Sequence, residues 1–197
     1  MAIVNPRLPL EAAPRPFTAA DLAEMPRELP SGPVHYELDN GRIVAMSPPG
    51  HIHGKVEVKI AYALVEAGEK QGHGEVSGGE TGVLLWRNPD RVVGADVVFL
   101  RAAALPARLT KEGYLETIPD LVVEVVSKND TAPYVQRKVD DYLTAGVRVV
   151  WVADPDSRIL TEHRRDAKPR VYAENETAAV PELIPGLQLS LKDVFDF

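Results

Sequence analysis

The chain of 197 residues contains no cysteine. Disulfides and thiolate metal sites are therefore excluded, and any bound metal must be held by oxygen or imidazole. The chain also lacks a basic tract: no basic run exceeds His163-Arg164-Arg165, and the net charge is −7. Phosphate contacts from Lys and Arg carry most of the affinity of nucleic-acid-binding proteins. A role on DNA would thus be weak, local, or dependent on a metal or an oligomeric surface. No apolar run approaches the roughly 18–20 residues needed to span a bilayer, and the start Met1-Ala2-Ile3-Val4-Asn5-Pro6 lacks the basic-then-apolar pattern of a signal peptide. The expectation is a cytoplasmic protein with no membrane partner, in one domain.

Seven of the 17 prolines fall in residues 1–33. Residues 1–17 read as a proline-rich arm, followed by a single domain over 18–197. Thr18 and Asp21 form a capping pair for a short helix that ends before Pro26. In HYELDNGRIVAMS, two alternating runs flank Asp39-Asn40-Gly41, the pattern of a hairpin. Residues 52–70 carry Val56, Ile60, Ala63, Leu64 and Ala67 at helical spacing. Strands are predicted near 75–77 and 81–86, then over VVGADVVFL, over LVVEVV and over VRVVWVADP, with SRILTEHRR as a hairpin return. A helix opens after Asn129-Asp130-Thr131, has Pro133 in its first turn and stops at Gly146. Short strands over 169–191 and a turn at Leu191 to Phe195 complete an α/β chain, a central mixed β-sheet flanked by helices.

Two of the apolar strands each enclose one carboxylate, Asp96 in VVGADVVFL and Glu124 in PDLVVEVVS. A run apolar on both faces is a strand covered on both sides, where a lone charge is strongly unfavourable unless paired. Asp120 lies four residues before Glu124, about 13 Å along a strand. That is too far to share an ion whose ligands stand at about 2.0–2.6 Å, so Asp120 reads as the residue that opens the strand. Asp96 and Glu124 converge only if their strands lie side by side, ~4.8 Å apart. Converging carboxylates favour a cation, and oxygen ligands completed by water suit Mg²⁺.

Lys138 is the third feature. Val135, Lys138, Val139 and Tyr142 occupy one helical face, which directs an ammonium towards the sheet. There it can neutralise the acids or stabilise charge developing on a phosphate. The same residues also allow a metal-free alternative, a buried Asp96–Lys138–Glu124 ion network.

The ordered blocks HYELDNGRIVAMSPPGHIH, GADVVFL, PDLVVEVVS and QRKVDDYLTAGVRVVWVADPDSRIL resemble the Uma-two (Uma2) family of bacterial restriction-endonuclease-like proteins. That family is part of the PD-(D/E)xK nuclease superfamily. The resemblance runs from about Thr18 to Phe195 and implies a restriction-endonuclease-like core. It further implies an endonuclease that hydrolyses DNA phosphodiester bonds with Mg²⁺ (or Mn²⁺) held by Asp96 and Glu124. Ala95 stands where the family usually has proline before its first acid, and Val126 where the superfamily has its lysine; the matching lysine is Lys138, on the following helix. Glu37 and His53 match as additional site residues, Glu37 as a further acid and His53 as a proton-handling imidazole. His51 matches less closely, and Glu57 reads as a solvated-face residue.

The rival readings are a catalytically silent binding or assembly module built on the same fold, and a hydrolase of smaller phosphodiesters. Cutting both strands of a duplex takes two sites, so a homodimer is expected. Binding DNA further requires Lys55, Arg101, Arg108, Lys111, Lys128 and Arg137 to gather around the mouth of the site.

Overall fold

A computed structural model describes residues 15–30, 32–46, 48–105 and 113–197. Most of the proline-rich arm, together with Arg108 and Lys111, lies outside these residues. The first helix, α1 (Ala19–Ala23), starts on a complete capping box in which Thr18 and Asp21 exchange hydrogen bonds. A two-residue ladder follows, β1 (Glu28–Leu29) with β2 (Gly32–Pro33). The hairpin is β3 (His35–Asp39) and β4 (Arg42–Met46), turning at Asn40 and Gly41, both at positive φ. Helix α2 spans His51–Leu64 and continues as a π-helical turn over Val65–Glu69.

The two short strands expected near 75–77 and 81–86 are one long strand, β5 (Gly74–Trp86). It pairs throughout with β6 (Arg91–Arg101), and its register shifts between Gly78 and Thr81. Gly79 and Glu80, both in the left-handed region (φ 77° and 61°), stand opposite the single residue Asp96. The extra residue makes a β-bulge, which bends a strand without ending it. That is why Gly78-Gly79-Glu80 looks like a loop when only the sequence is read.

The chain then forms β7 (Leu121–Val125), α3 (Ala132–Ala145), β8 (Val149–Asp154), β9 (Ile159–His163) and β10 (Arg170–Ala173). It closes with β11 (Thr177–Ala178), β12 (Leu189–Ser190) and α4 (Leu191–Val194); the last is a short helix where a turn was expected, and the IPGL segment is a turn rather than strand. The main sheet has the order β10-β9-β8-β7-β6-β3-β4, with β5 on β6. It is mixed, since β7 and β8 are parallel while their neighbours are antiparallel. This is the α/β architecture expected from the sequence. Among the described residues no helix is long and apolar enough to cross a membrane.

The sheet forks. A strand has two edges, and β5 runs along one edge of β6, so β3 and β7 must share the other. They do so at opposite ends: β3 meets β6 at Leu38↔Val92, and β7 meets it at Val97↔Val123 through Phe99↔Leu121. Between Val92 and Val97 that edge has no strand against it. The packing of β6 changes at the same place. Val93 and Ala95 pack with Val139 and Tyr142 of α3, as do Val98 and Leu100, whereas Val97 and Phe99 pack with Val56, Ile60 and Leu64 of α2. The in–out alternation therefore slips by one residue at Asp96, where the bulge on β5 lies opposite.

Close packing of β5 on β6 gives a direct check on this arrangement. A Cβ added at Gly74 would collide with the Leu100 carbonyl oxygen and come within 2.9 Å of the Arg101 Cα. Both are backbone atoms fixed by the ladder. Gly74→Ala is expected to lower stability by about 1–3 kcal/mol, the usual range for overpacking, as measured by urea unfolding.

Candidate active site

The fork leaves backbone groups of β6 and β7 without a strand partner, and buried backbone groups must be paired. Side chains pair them. The Gly94 N–H donates to Glu37 Oε1 (3.2 Å), and the Gly94 carbonyl accepts from Lys138 Nζ (2.9 Å). The Val125 N–H donates to Asp96 Oδ2 (2.6 Å). Three of the residues singled out in the sequence thus complete the sheet where its strands part.

Asp96 and Glu124 are cross-strand neighbours, one step beyond Val97↔Val123 in the same register. Their carboxylates serve different faces because of the slip at Asp96. Glu124 points to the α3 side, where Lys138 Nζ donates to its Oε2 (2.7 Å) and the Tyr142 hydroxyl to its Oε1 (2.5 Å). Asp96 points to the α2 side, where His53 Nε2 lies 3.2 Å from its Oδ2. Among the described residues no ion pair joins Lys138 to Asp96. The expected Asp96–Lys138–Glu124 triad is instead Glu37–Lys138–Glu124, with Lys138 Nζ 3.3 Å from Glu37 Oε1. Glu37 also receives the Tyr134 hydroxyl (3.0 Å) and the guanidinium of Arg91 (3.3 Å), and Arg91 in turn binds Asp141 (2.8 Å).

Glu37, His53, Asp96, Glu124 and Lys138 are 3–8% exposed, so all five exchange water for protein contacts. Burial raises the Glu124 carboxyl to about 8, against the pull of Lys138. Burial also works against ionisation of Glu37, but Lys138 and Arg91 outweigh it and hold that carboxyl below its usual range. For Lys138 burial opposes the charge, yet Glu124 and Glu37 raise its pKa well above normal. His53 is likewise disfavoured as a cation by burial, but its hydrogen bond to Asp96 and the charge of Asp96 raise it.

Glu57 is not a solvated-face residue. It lies one turn after His53, is half-buried, and accepts the Gly79 N–H at 2.7 Å. His53, Glu57 and Asp96 each offer a ligand atom within 4.8 Å of the others. Ligands of one ion at about 2.0–2.6 Å stand at most about 4–5 Å apart, so this donor set fits a divalent cation. The other imidazole nitrogen, His53 Nδ1, is buried without a protein partner among the described residues. Glu80 was also missed from sequence; the bulge carries it to the same cleft, where burial and the charge of Asp96 raise its pKa. The cleft has a free volume of about 50 Å³, room for a few waters at roughly 10–15 Å³ each. His51 is exposed at the start of α2.

The basic residues that the structure describes do not gather at the cleft. Arg101 is bound to Asp120 (2.8 Å) and Arg137 to Asp39 (3.5 Å). Among the described residues, Lys138 is the one Lys or Arg that lines the cleft.

A family model, Uma2, described as "Putative restriction endonuclease", matches residues 20–192. Among solved structures, a protein of Anabaena variabilis described as a "putative nuclease belonging to DUF820" superposes with a TM-score of 0.75. It is 19% identical, and the match covers 91% of this chain and 98% of that one. At that identity the likeness is one of fold. No curated protein matches.

The buried acids depend on Lys138. Lys138→Met is expected to destabilise the fold by about 3–5 kcal/mol, as breaking a buried pair does. Glu124 adds a pH signature. A carboxyl raised in the folded state binds its proton more tightly there than in the unfolded chain, so its contribution to stability is complete below the unfolded value of about 4.5. That contribution is lost as pH rises through about 8. Glu124→Gln is expected to flatten this decline in urea unfolding measured between pH 5 and pH 8.5.

Proposed function

This chain belongs to the Uma2 family, and from that membership and the cleft at the fork we propose that it is a cytoplasmic, metal-dependent endonuclease hydrolysing DNA phosphodiester bonds. The observation that carries the reading is the meeting of Asp96 and Glu124 on neighbouring strands beside one buried ammonium, at an open cleft. Asp96, His53 and Glu57 would hold Mg²⁺ or Mn²⁺, with Glu124 as the acid on the far side. When bound, such an ion polarises a phosphate and acidifies water. The imidazole nitrogen favours Mn²⁺ more than an all-oxygen set would.

The chain's own residues have separate tasks. Lys138, fixed by Glu37, Glu124 and the Gly94 carbonyl, supplies positive potential in a water-poor site where charge develops on a phosphate. Glu124 and Glu37 keep that ammonium in place and charged, and Arg91 holds Glu37. As a ligand His53 would give the ion Nε2, the nitrogen that faces Asp96, and keep its proton on Nδ1, which has no protein partner among the described residues. Cleavage of both strands of a duplex would require two such sites and hence a dimer.

A second reading is a silent nuclease fold whose ions serve only to close the sheet. It is favoured by the saturation of Lys138 with three acceptors. Activity separates the two readings. Purified protein should cleave DNA with Mg²⁺ or Mn²⁺ and stop in EDTA. The rate should rise with pH towards about 8, as Glu124 loses its proton. Asp96→Asn should lower the rate at least about 100-fold, the scale of losing a group that acts in the chemical step. A wild type that yields no product, or an Asp96→Asn variant as fast as wild type, would favour the silent fold.

A further inference from the structure

A second pocket adjoins the acid cleft and shares Glu80 and Gly94 with it. Its volume is about 320 Å³, the lower end of the range for small-molecule sites, roughly 300–1,000 Å³. Its floor lacks side chains where β5 and β6 cross it, because Gly82 and Gly94 are register partners. The Tyr114 ring lies directly on Gly82, close enough that a Cβ there would come within 2.6 Å of the ring. The Glu80 carboxylate lies over Gly94, its Oε2 3.1 Å from where a Cβ would stand, and His35 and Tyr36 of β3 line the pocket beside it. The Tyr36 hydroxyl is buried without a hydrogen-bond partner among the described residues. Arg27, an exposed residue, lines the same pocket as Tyr114.

These features describe a slot for a planar, polar-edged ring. Tyr114 lies flat against the backbone at Gly82 and is the ring that a base would meet, the Glu80 carboxylate beside it covers Gly94 and offers an edge partner, Tyr36 adds a second aromatic wall, and Arg27 is the cation lining the opening. Beside it lies the acid cleft, narrow and without a free Lys or Arg to grip two phosphate backbones. We propose that the slot holds an unpaired nucleobase next to the scissile phosphate, so that the substrate is a single strand. Tyr114 stacks on the base and Arg27 meets the flanking phosphate. A single strand reaches such a cleft through stacking, which compensates for sparse basic charge, whereas a duplex cannot offer an unpaired base without opening. The inference rests on the nuclease reading for the nature of the substrate and narrows it to unpaired nucleic acid.

The test is fluorescence anisotropy with a 5′-fluorescein single-stranded DNA 12-mer and with the same 12-mer as a duplex. Wild-type protein is used with Ca²⁺ replacing Mg²⁺, so the readout does not depend on cleavage. The single strand is expected to bind at least tenfold more tightly than the duplex. Tyr114→Ala should lose about 5- to 100-fold in single-strand affinity, the effect of removing one base–aromatic stack. Tyr114→Phe should retain it, which separates stacking from misfolding. Equal or tighter duplex binding, indifference to Tyr114→Ala, or no binding of either probe would overturn the slot. Binding through Tyr114 without any cleavage would keep the slot and sink the nuclease reading. Cleavage of duplex with Tyr114 immaterial would do the reverse.

Discussion

The ammonium of Lys138 stands between two buried carboxylates and the Gly94 carbonyl, and the rest of the site is arranged around that contact. β6 needs a partner along its open edge between β3 and β7, and no strand provides one. Lys138 and Glu37 provide it from side chains. Removing the ammonium would leave Glu37 and Glu124 facing each other in low dielectric, and the Gly94 carbonyl would lose its donor. A nearby guanidinium, Arg91, ties Glu37 to Asp141 on α3. The helix that donates Lys138 is thereby anchored to the strand that needs it. The positive charge at the cleft and the closing of the sheet are therefore properties of one network, and a substitution there moves both.

The slip at Asp96 is the second constraint. A strand with unbroken alternation would turn Asp96 and Glu124 to one face, and two acids would then compete for Lys138. The bulge at Gly79 and Glu80 separates them: Glu124 faces the lysine, and Asp96 faces His53 and Glu57 on α2. The result is a cleft with acids on both sides and a single committed cation. In a chain of net charge −7, such a cleft is poorly suited to attract a phosphate backbone by itself. A bound divalent ion would reverse the local field beside Glu57, Glu80 and Glu124, the carboxyls that burial raises.

Much of this was legible in the sequence. Asp96 and Glu124 stood out because each interrupts a run apolar on both faces, and Lys138 because it falls on the sheet-facing stripe of its helix. The hairpin turn, the capping box and the stop at Gly146 followed from local chemistry. Other features depend on how distant strands meet. Glu57 follows His53 by one helical turn, but amphipathic spacing alone assigns it to solvent; only the fold brings Gly79 and Asp96 to it. Glu80 belongs to a glycine-rich stretch whose continuity as strand becomes visible only when β6 pairs with it. The partner of Lys138 was misjudged for the same reason, since the slip that turns Asp96 away has no local signature. Nor could composition show that Arg101 and Arg137 bind acids elsewhere instead of framing the cleft.

On the proposed function the fork is a metal site as well as a structural joint. Isothermal titration of Mn²⁺ and Mg²⁺ into the wild type and into Asp96→Asn tests it most directly. The account expects one saturable site per chain in the wild type, tighter for Mn²⁺, and its loss in Asp96→Asn with the far-ultraviolet circular dichroism spectrum preserved. A wild type that binds neither ion, or an Asp96→Asn variant that binds as the wild type does, would contradict it.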